Sequence, residues 1–411
     1  MNAATIEPAG SASSRAEAEL WRWLSTDAGE GLVGEAARID PASSKQIERL
    51  RPRVPAGLYA VRAVSAALTL VDLRRRAEDK MPGLAARLLA DRDGYEMASS
   101  ERAARHAASR FAAVGGTAVD ACCGIGVNAW AMAEAGLSAV AIDRDLARVE
   151  MARANTTGVG SCDLVHDDVQ RDCPDGDLLF VDPMRRSAAG PSRRASLEGL
   201  EPGWPSIESL SDRFRGACIK LAPGIDRAVL PPNARVEWTS ERGRMSQCLC
   251  WMGSLAWDNE TVRATSLDLG ATLEGEQDAG CGLIEPTALR AGDLVSAVDP
   301  AVERARLLGW LANETGGSVL ADPGTGLLVG GEPSDWVRRF RLERAMRWDP
   351  RAAREAIAEL GGGVVEVKTR GKLVDPDRTQ IELRGAGDRL LTVFILRLGS
   401  EPWCLLTERV E

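Results

Sequence analysis

The sequence predicts an α/β fold: a mainly parallel sheet, entered through a helical region and followed by a small α+β domain. Three observations predict it. Between Gly116 and about Leu269, short apolar runs alternate with helical stretches, as in successive βαβ units. Upstream, from about residue 15 to 113, apolar residues recur near a 3.6 period with little β-branched alternation. Downstream of a polar, glycine-rich stretch, GATLEGEQDAGCG, helical and strand-like runs mix again. The 411-residue chain is therefore expected to comprise a disordered tail (1–14), a helical region (15–113), a sheet domain (114–270), a linker (271–283) and an α+β domain (284–411).

The N-terminus, MNAATIEPAGSASSRAEAE, is polar and lacks the apolar segment of a secretory signal, so it reads as a frayed tail. RAEAELWRWL, SSKQIERLR and YAVRAVSAALTLVDLRRRAEDKM then read as helices. SSERAARHAASRF is another, with Ser99 or Ser100 as its N-cap and Glu101 in its first turn. The strands TAVDA, SAVAID, CDLVHDD, DLLFVDP and GACIKLA follow, with helical stretches between most of them. RVEWTS and QCLCWMGSLA leave no room for a helix between them, which predicts an antiparallel hairpin at the sheet edge. In the last domain VERARLLGWLANE, SDWVRRFRLERAMRW and PRAAREAIAEL read as helices. GSVLAD, GGVVEVKT, RLLTVFILRLG and WCLLTE read as strands. Trp336 and Phe340 fall at helical spacing and are expected in that domain's core.

Composition excludes several classes of function. A net charge of −9 argues against a protein that coats nucleic acid, while leaving room for a local basic site. The nine cysteines form no CxxC pair and there are only two histidines, so no metal site is expected. Free, mostly buried thiols suit a reducing cytosol, and a cytoplasmic location is expected. No window approaches the roughly 18 apolar residues of a membrane span.

A candidate nucleotide-like site begins at Asp120, where TAVDA ends and CCGIGVNAWAMA begins. Gly124 and Gly126 permit a tight turn and close backbone approach to a ligand. Cys122 lies within this turn, and Asn128 opens a helix whose free N–H groups would face the ligand. The second strand ends at Asp143-Arg144, and a carboxylate there can take both hydroxyls of a ribose. On its own this pattern also fits the permissive dinucleotide form GxGxxA. Three features favour S-adenosylmethionine. Asp120, before the glycines, would hold a cation and repel a pyrophosphate. Asp167 and Asp168, after the third strand, suit an adenine amino group. Asp182-Pro183 ends the fourth strand, so acids follow strands one to four along one edge.

VDACCGIGVN…AIDRD…HDDV…FVDPMRR resembles the class I S-adenosylmethionine-dependent methyltransferases, whose sheet is Rossmann-like. VDACCGIGVN is similar to the trimethylguanosine synthase branch, which methylates guanine N2 in RNA caps. LRRRAEDK, DP-x-RR, KLAPGID (Lys220 to Asp226), PPNARVEW and IEPTALRAG extend the resemblance to bacterial methyltransferases with a THUMP-like C-terminal domain. The resemblance implies that Asp120, Gly124, Gly126, Asp143 and Asp168 contact the cofactor, and that Asp182 and Pro183 lie where the acceptor nitrogen would sit. It also implies an RNA partner, since THUMP domains are RNA-binding modules. In amino-group methyltransferases an aromatic that stacks the base usually follows such a motif. Here Met184-Arg185 stands in that place, and the Arg185 plane is a candidate substitute.

The expected reaction is methyl transfer to a base nitrogen, with Asp182 and the Pro183 carbonyl accepting the amine hydrogens. Arg185, Arg186, Arg193 and Arg194 form a candidate phosphate-binding cluster, with ion pairing to Glu198 and Glu201 as the structural alternative. Lys220, ending the fifth strand, either caps that edge or contacts substrate. His166 adjoins the adenine-side acids. From Trp336 to Gly399 there are 14 Lys and Arg against 9 Asp and Glu, a local +5 in an acidic chain. Two other readings stay open: a methyltransferase of a small anionic metabolite, and a catalytically silent cofactor-binding RNA-binding protein. An NAD oxidoreductase is a more distant one.

Overall fold

The structure, a computed structural model, describes residues 12–185, 196–321, 323–370 and 373–410. The expected tail (1–14) lies outside them up to residue 11, and Arg186, Arg193 and Arg194 lie outside them entirely. The chain divides into two compact units: residues 1–235 with 248–258, and residues 236–247 with 259–411.

The first unit opens with helices α1 (Ala12–Leu24), α2 (Asp27–Ala36), α3 (Ser44–Glu48), α4 (Ala60–Lys80), α5 (Pro82–Ala85), α6 (Arg92–Met97) and α7 (Glu101–Val114). Ser100 proves to be the N-cap of α7, its side chain accepting from Ala103 N, while Ser99 is left for another partner. The sheet then runs β1 (Thr117–Ala121), α8 (Val127–Glu134), β2 (Ser138–Asp143), α9 (Leu146–Thr156), β3 (Ser161–His166), β4 (Leu178–Val181), the short β5 (Met184–Arg185) and β6 (Leu200–Glu201), α10 (Trp204–Ser211) and β7 (Gly216–Leu221). β3-β2-β1-β4-β7 lie in that order and pair in parallel throughout. β1, β4 and β7 are buried along nearly their whole length. That explains why they read as unbroken apolar runs. β5 and β6 pair antiparallel as a separate ribbon just beyond Pro183.

β8 (Arg235–Glu241) and β9 (Arg244–Gly253) are joined through Arg242 and Gly243, both with positive φ (54° and 68°), as a tight hairpin turn requires. Residues 248–253 of β9 pair antiparallel with β7. The expected hairpin is not the sheet edge, however. In the second unit β10 (Val262–Ser266) adds in parallel to β8, and β11 (Ala271–Gly275) adds antiparallel to β10. The stretch expected as a linker (271–283) thus begins with a strand. Thr265 supplies the reason: its hydroxyl bonds Glu237 on one side and lies 2.8 Å from the Thr272 hydroxyl on the other, so polar residues pair here without an apolar signature.

The rest of the second unit comprises β12 (Leu283–Ile284), β13 (Leu294–Val298), α11 (Pro300–Arg304), α12 (Leu308–Thr315), β14 (Gly317–Leu320), β15 (Leu327–Gly330), β16 (Val337–Arg347), α13 (Pro350–Glu359), β17 (Gly362–Thr369), α14 (Pro376–Leu383), β18 (Arg389–Leu398) and β19 (Glu401–Arg409). β12 to β19 make an eight-stranded sheet in the order β12-β14-β15-β13-β16-β19-β18-β17. One apolar cluster gathers Phe340, Leu342, Phe394 and Leu405. Another puts Val365, Val393, Ile395 and Leu406 with Ala353 and Ile357 of α13 and Leu383 of α14.

SDWVRRFRLERAMRW is therefore a strand, not a helix. Phe340 and Leu342 alternate as a half-buried strand should, but the register shifts between Leu342 and Arg344. A bulge of this kind inserts one residue into the alternation. With it, apolar residues recur at the spacings of a helix. Phe340 is core as expected, packed edge-on against Phe394 with ring centroids 5.0 Å apart.

Candidate functional site

Parallel strands bring their C-terminal ends to one edge, and the turns leaving β1 to β4 and β7 carry the polar residues there. Asp120, within β1, is fully buried. Its Oδ2 accepts from Ala129 N in the first turn of α8 at 2.9 Å, which ties the strand end to the helix N-terminus. Its Oδ1 is buried with no hydrogen-bond partner among the described residues. Burial first, and then the charge of Asp182, push this carboxyl up to about 8.

The turn that follows uses three left-handed residues, Cys122, Gly124 and Gly126, with φ of 61°, 55° and 80°. The two glycines do different work. A Cβ on Gly124 would meet nothing within 4 Å, so this glycine keeps open space beside the backbone. A Cβ on Gly126 would lie 2.8 Å from the Ala152 Cβ, so that glycine lets α8 pack against α9. Behind the turn, Asn155 is fully buried. It accepts from Leu89 N and donates to Leu89 O and to Ile125 O, which anchors the glycine turn to the N-terminal helical region.

Asp143 ends β2. Its Oδ2 accepts from Gly124 N and its Oδ1 from Asp145 N, both at 2.9 Å. Burial holds its carboxyl above the usual range despite these bonds. After β3, Asp167 Oδ1 accepts from Asp168 N and its Oδ2 pairs with Arg171 at 3.0 Å. Asp168 uses Oδ1 for Gln170 N, and its Oδ2 accepts nothing from the described residues. His166 Nε2 lies 3.1 Å from Arg144 O.

A cleft of about 420 Å³, solvent mouth included, opens here. Its polar wall is Asp143, Arg144, Asp167 and Asp168, and its apolar wall is Ile142, Val169, Met184 and Pro202. Cys122 also lines it, its thiol kept neutral by burial. Asp120, Gly124, Gly126 and Asn128 are not in its wall. Met184 occupies the position where an acceptor-stacking aromatic was expected, yet it lines this cleft. Glu201 of β6 closes the same wall through an ion pair with Arg144 at 2.5 Å. Glu201 was considered as a partner of the arginine cluster; the ion pair it makes here is with Arg144, which follows β2. Arg185 donates to Ser196 O at 3.1 Å and is partly buried.

Asp182 follows β4. In the β4–β7 ladder Val181 faces Ile219, so the next pair beyond the register is Asp182 and Lys220. Lys220 Nζ donates to Asp182 Oδ2 at 2.6 Å and to Ser99 Oγ at 3.0 Å. Asp182 Oδ1 accepts nothing from the described residues. Sequence reasoning named Asp182 and Lys220 separately and treated Ser99 only as a possible cap. Asn155 went unassigned, and no local signal marks it. Among the described residues no group of three or more His, Cys, Asp or Glu side chains could hold a metal ion. No helix among them is long and apolar enough to cross a membrane.

Two families match parts of the chain. A domain of unknown function (DUF8688) matches residues 17–77, and a family described as THUMP domain-like matches residues 337–409. An uncharacterized S-adenosylmethionine-dependent methyltransferase of Mycobacterium tuberculosis (strain CDC 1551 / Oshkosh) is 33% identical over 340 residues, covering 80% of this chain and 91% of the relative. Its counterpart in strain ATCC 25618 / H37Rv matches equally well. A crystal structure of a putative methyltransferase from Porphyromonas gingivalis W83 superposes with a TM-score of 0.69 at 16% identity, covering 97% of this chain and 99% of that one, a likeness of fold. The chain belongs to the family of S-adenosylmethionine-dependent methyltransferases that the mycobacterial relatives represent.

Proposed function

We propose that this S-adenosylmethionine-dependent methyltransferase transfers the methyl group to a base nitrogen of RNA, with Asp182 and Pro183 receiving the acceptor amine. One observation carries the reading: Asp182 stands at the strand edge beside Asp120, with one oxygen held by Lys220 and the other accepting nothing from the described residues. The residues fit the cofactor. The open Cβ position of Gly124 leaves room for close backbone approach. The unpartnered Asp120 Oδ1 suits the cationic methionine end. In Asp143 each oxygen accepts one backbone N–H and keeps a lone pair for a ribose hydroxyl. Asp168, whose Oδ2 accepts nothing from the described residues, has more accepting capacity left for the adenine amino group than Asp167, each of whose oxygens already has one partner. Cys122 and Arg144 frame the same cleft, with Asn128 behind it in α8.

When bound, the cofactor supplies an electrophilic methyl group on a sulfonium. The chain's own part is alignment, which contributes roughly 7–11 kcal/mol in well-oriented reactions. Asp182 Oδ1 and the Pro183 carbonyl accept hydrogens from the exocyclic amine. They thereby localise a lone pair that would otherwise be delocalised into the ring.

The THUMP domain-like match at 337–409 and the excess of basic residues from 336 to 399 support RNA as the acceptor. Arg185 is the one member of the arginine cluster among the described residues. Its guanidinium donates to Ser196 O in the stretch between β5 and β6, which holds its plane beside Met184 as a candidate surface for a base. Phosphate contact by Arg186, Arg193 and Arg194, and a cytoplasmic location, belong to the same proposal. Mass spectrometry of nucleosides from RNA of a deletion strain and its parent tests it. One methylated base should be missing, and restored by the wild-type gene but not by Asp182→Ala. Identical nucleoside profiles would sink the RNA acceptor and favour a small anionic metabolite.

A further inference from the structure

The geometry points to Lys220 as a positioning residue that, with Ser99, holds Asp182 in the orientation needed to receive the acceptor amine. This rests on the acceptor site proposed above. Lys220 is only 15% exposed at its side chain and Asp182 27%, so their contact is shielded from solvent. Ser99 is buried, and α7 does not use its hydroxyl as a cap, since Ser100 fills that role. One ammonium therefore bonds a strand-end carboxylate from β4's exit and a hydroxyl from the loop entering α7, residues 38 and 121 positions away. The ammonium occupies Oδ2 and leaves Oδ1 for the substrate.

The neighbourhood explains why a cation belongs here. Asp182 is the charge that acts most strongly on Asp120, and Asp143 adds to it. Several carboxylates crowded at one sheet edge tend to retain a proton. Lys220 bonds Asp182 directly and acts on Asp120 only through space. Asp120, the fully buried member, is the one pushed toward retaining a proton, chiefly by burial, while Lys220 fixes the position of Asp182 through Oδ2. Facing this group from the packed elements are Asp120 of β1, Cys122 of the turn after it, and Ser99 ahead of α7, with Asp143 of β2 acting on Asp120. Lys220 on this reading touches no substrate. The N-terminal helical region, through Ser99, completes the site.

The test uses the full-length chain carrying ¹³C-labelled aspartate, with Lys220→Ala, Lys220→Arg and Ser99→Ala variants. Three readouts are taken: carboxyl titrations by NMR, S-adenosylhomocysteine affinity by calorimetry, and single-turnover methyl transfer to total RNA from the deletion strain between pH 5 and 9. In Lys220→Ala the Asp182 carboxyl should titrate at least one unit higher than in wild type. The acid limb of the transfer profile should follow it, with about a tenfold loss at low pH that recovers as pH rises. S-adenosylhomocysteine affinity should stay within about twofold. Lys220→Arg should restore most of the titration, and Ser99→Ala should shift it in the same direction by less. An unmoved Asp182 titration in Lys220→Ala, or in Ser99→Ala should the first variant not fold, overturns the inference. So does a pH-independent loss confined to KM, which would make Lys220 a substrate ligand. If wild type methylates no RNA, the acceptor reading fails while the titrations still decide the role of Lys220.

Discussion

Carboxylates at the strand ends of the first unit and on the exposed faces of the second serve different ends. In the first, the acids at the strand ends are held largely by backbone N–H groups: Asp120 by Ala129, Asp143 by Gly124 and Asp145, Asp168 by Gln170. In the second, charged side chains on exposed strand and helix faces pair with one another, as in Arg344–Glu359, Arg351–Glu355 and Arg378–Glu382. A carboxylate held by backbone keeps its place without a partner side chain and retains lone pairs for a ligand. A solvated ion pair uses its charges on itself and contributes little. The difference separates acids arranged for chemistry from acids arranged for surface.

Four experiments would break or sharpen this contrast. The largest effect is expected from Asp182→Ala, which should lower methyl transfer roughly 10²–10⁴-fold. S-adenosylhomocysteine binding by calorimetry should be unchanged. Turnover that survives the substitution would make Asp182 a turn residue.

Phe340→Ala comes next, at a cost of about 3–5 kcal/mol in stability by urea unfolding. It removes the edge-on partner of Phe394 from the second unit's core. A cost under about 1 kcal/mol would contradict the strand assignment of β16 and its burial.

Asp120→Asn should weaken S-adenosylhomocysteine about 10–100-fold, the range for losing one charge-assisted bond. In wild type the affinity should rise with pH and level off near 8, since below that value the carboxyl must first release its proton. The stability of the ligand-free chain carries the opposite sign. A carboxyl raised from 3.8 to about 8 binds more protons folded than unfolded, so stability falls as pH rises through that window. Asp120→Asn should therefore melt higher than wild type above pH 8, and the advantage should vanish below about pH 4. An affinity flat from pH 6 to 9 would remove Asp120 from the cofactor site.

The smallest effect is expected from Arg351→Ala, within about 0.5 kcal/mol by the same unfolding measurement. Its pair with Glu355 is one helical turn long and lies in solvent. A loss above about 1 kcal/mol would show that surface pairs in the second unit matter more than the contrast allows.

The two units also differ in how far they could be read in advance. β1, β4 and β7 are buried on both faces, so continuous apolar runs announced them, and each strand's last residues located its acid. β16 is half exposed, carries arginines on its open positions and contains a bulge, which together imitate a helix. β10 and β11 are short and polar, paired through Thr265, Glu237 and Thr272. Nothing in their composition distinguishes them from loop.

The site was legible to the same depth. Asp120, Asp143, Asp168 and Asp182 stand where alternating strands and helices must place them. Which of Asp167 and Asp168 keeps a free oxygen was not legible, because it depends on Arg171 folding back one turn. That Gly126 also lets α8 pack against Ala152 of α9 was not legible, because that contact is made across two helices.

What the sequence by itself determined are features with local causes: apolar periodicity, left-handed turn glycines, and acids at the ends of buried strands. The tertiary structure alone decided the partnerships. Lys220 meets Asp182 because β4 and β7 pair in one register, and meets Ser99 because α7 begins beside that edge. Such contacts join residues far apart in the chain, and their energy exists only once the intervening loops have closed. No local pattern encodes them, and they determine which carboxylate oxygens in the cluster are already engaged.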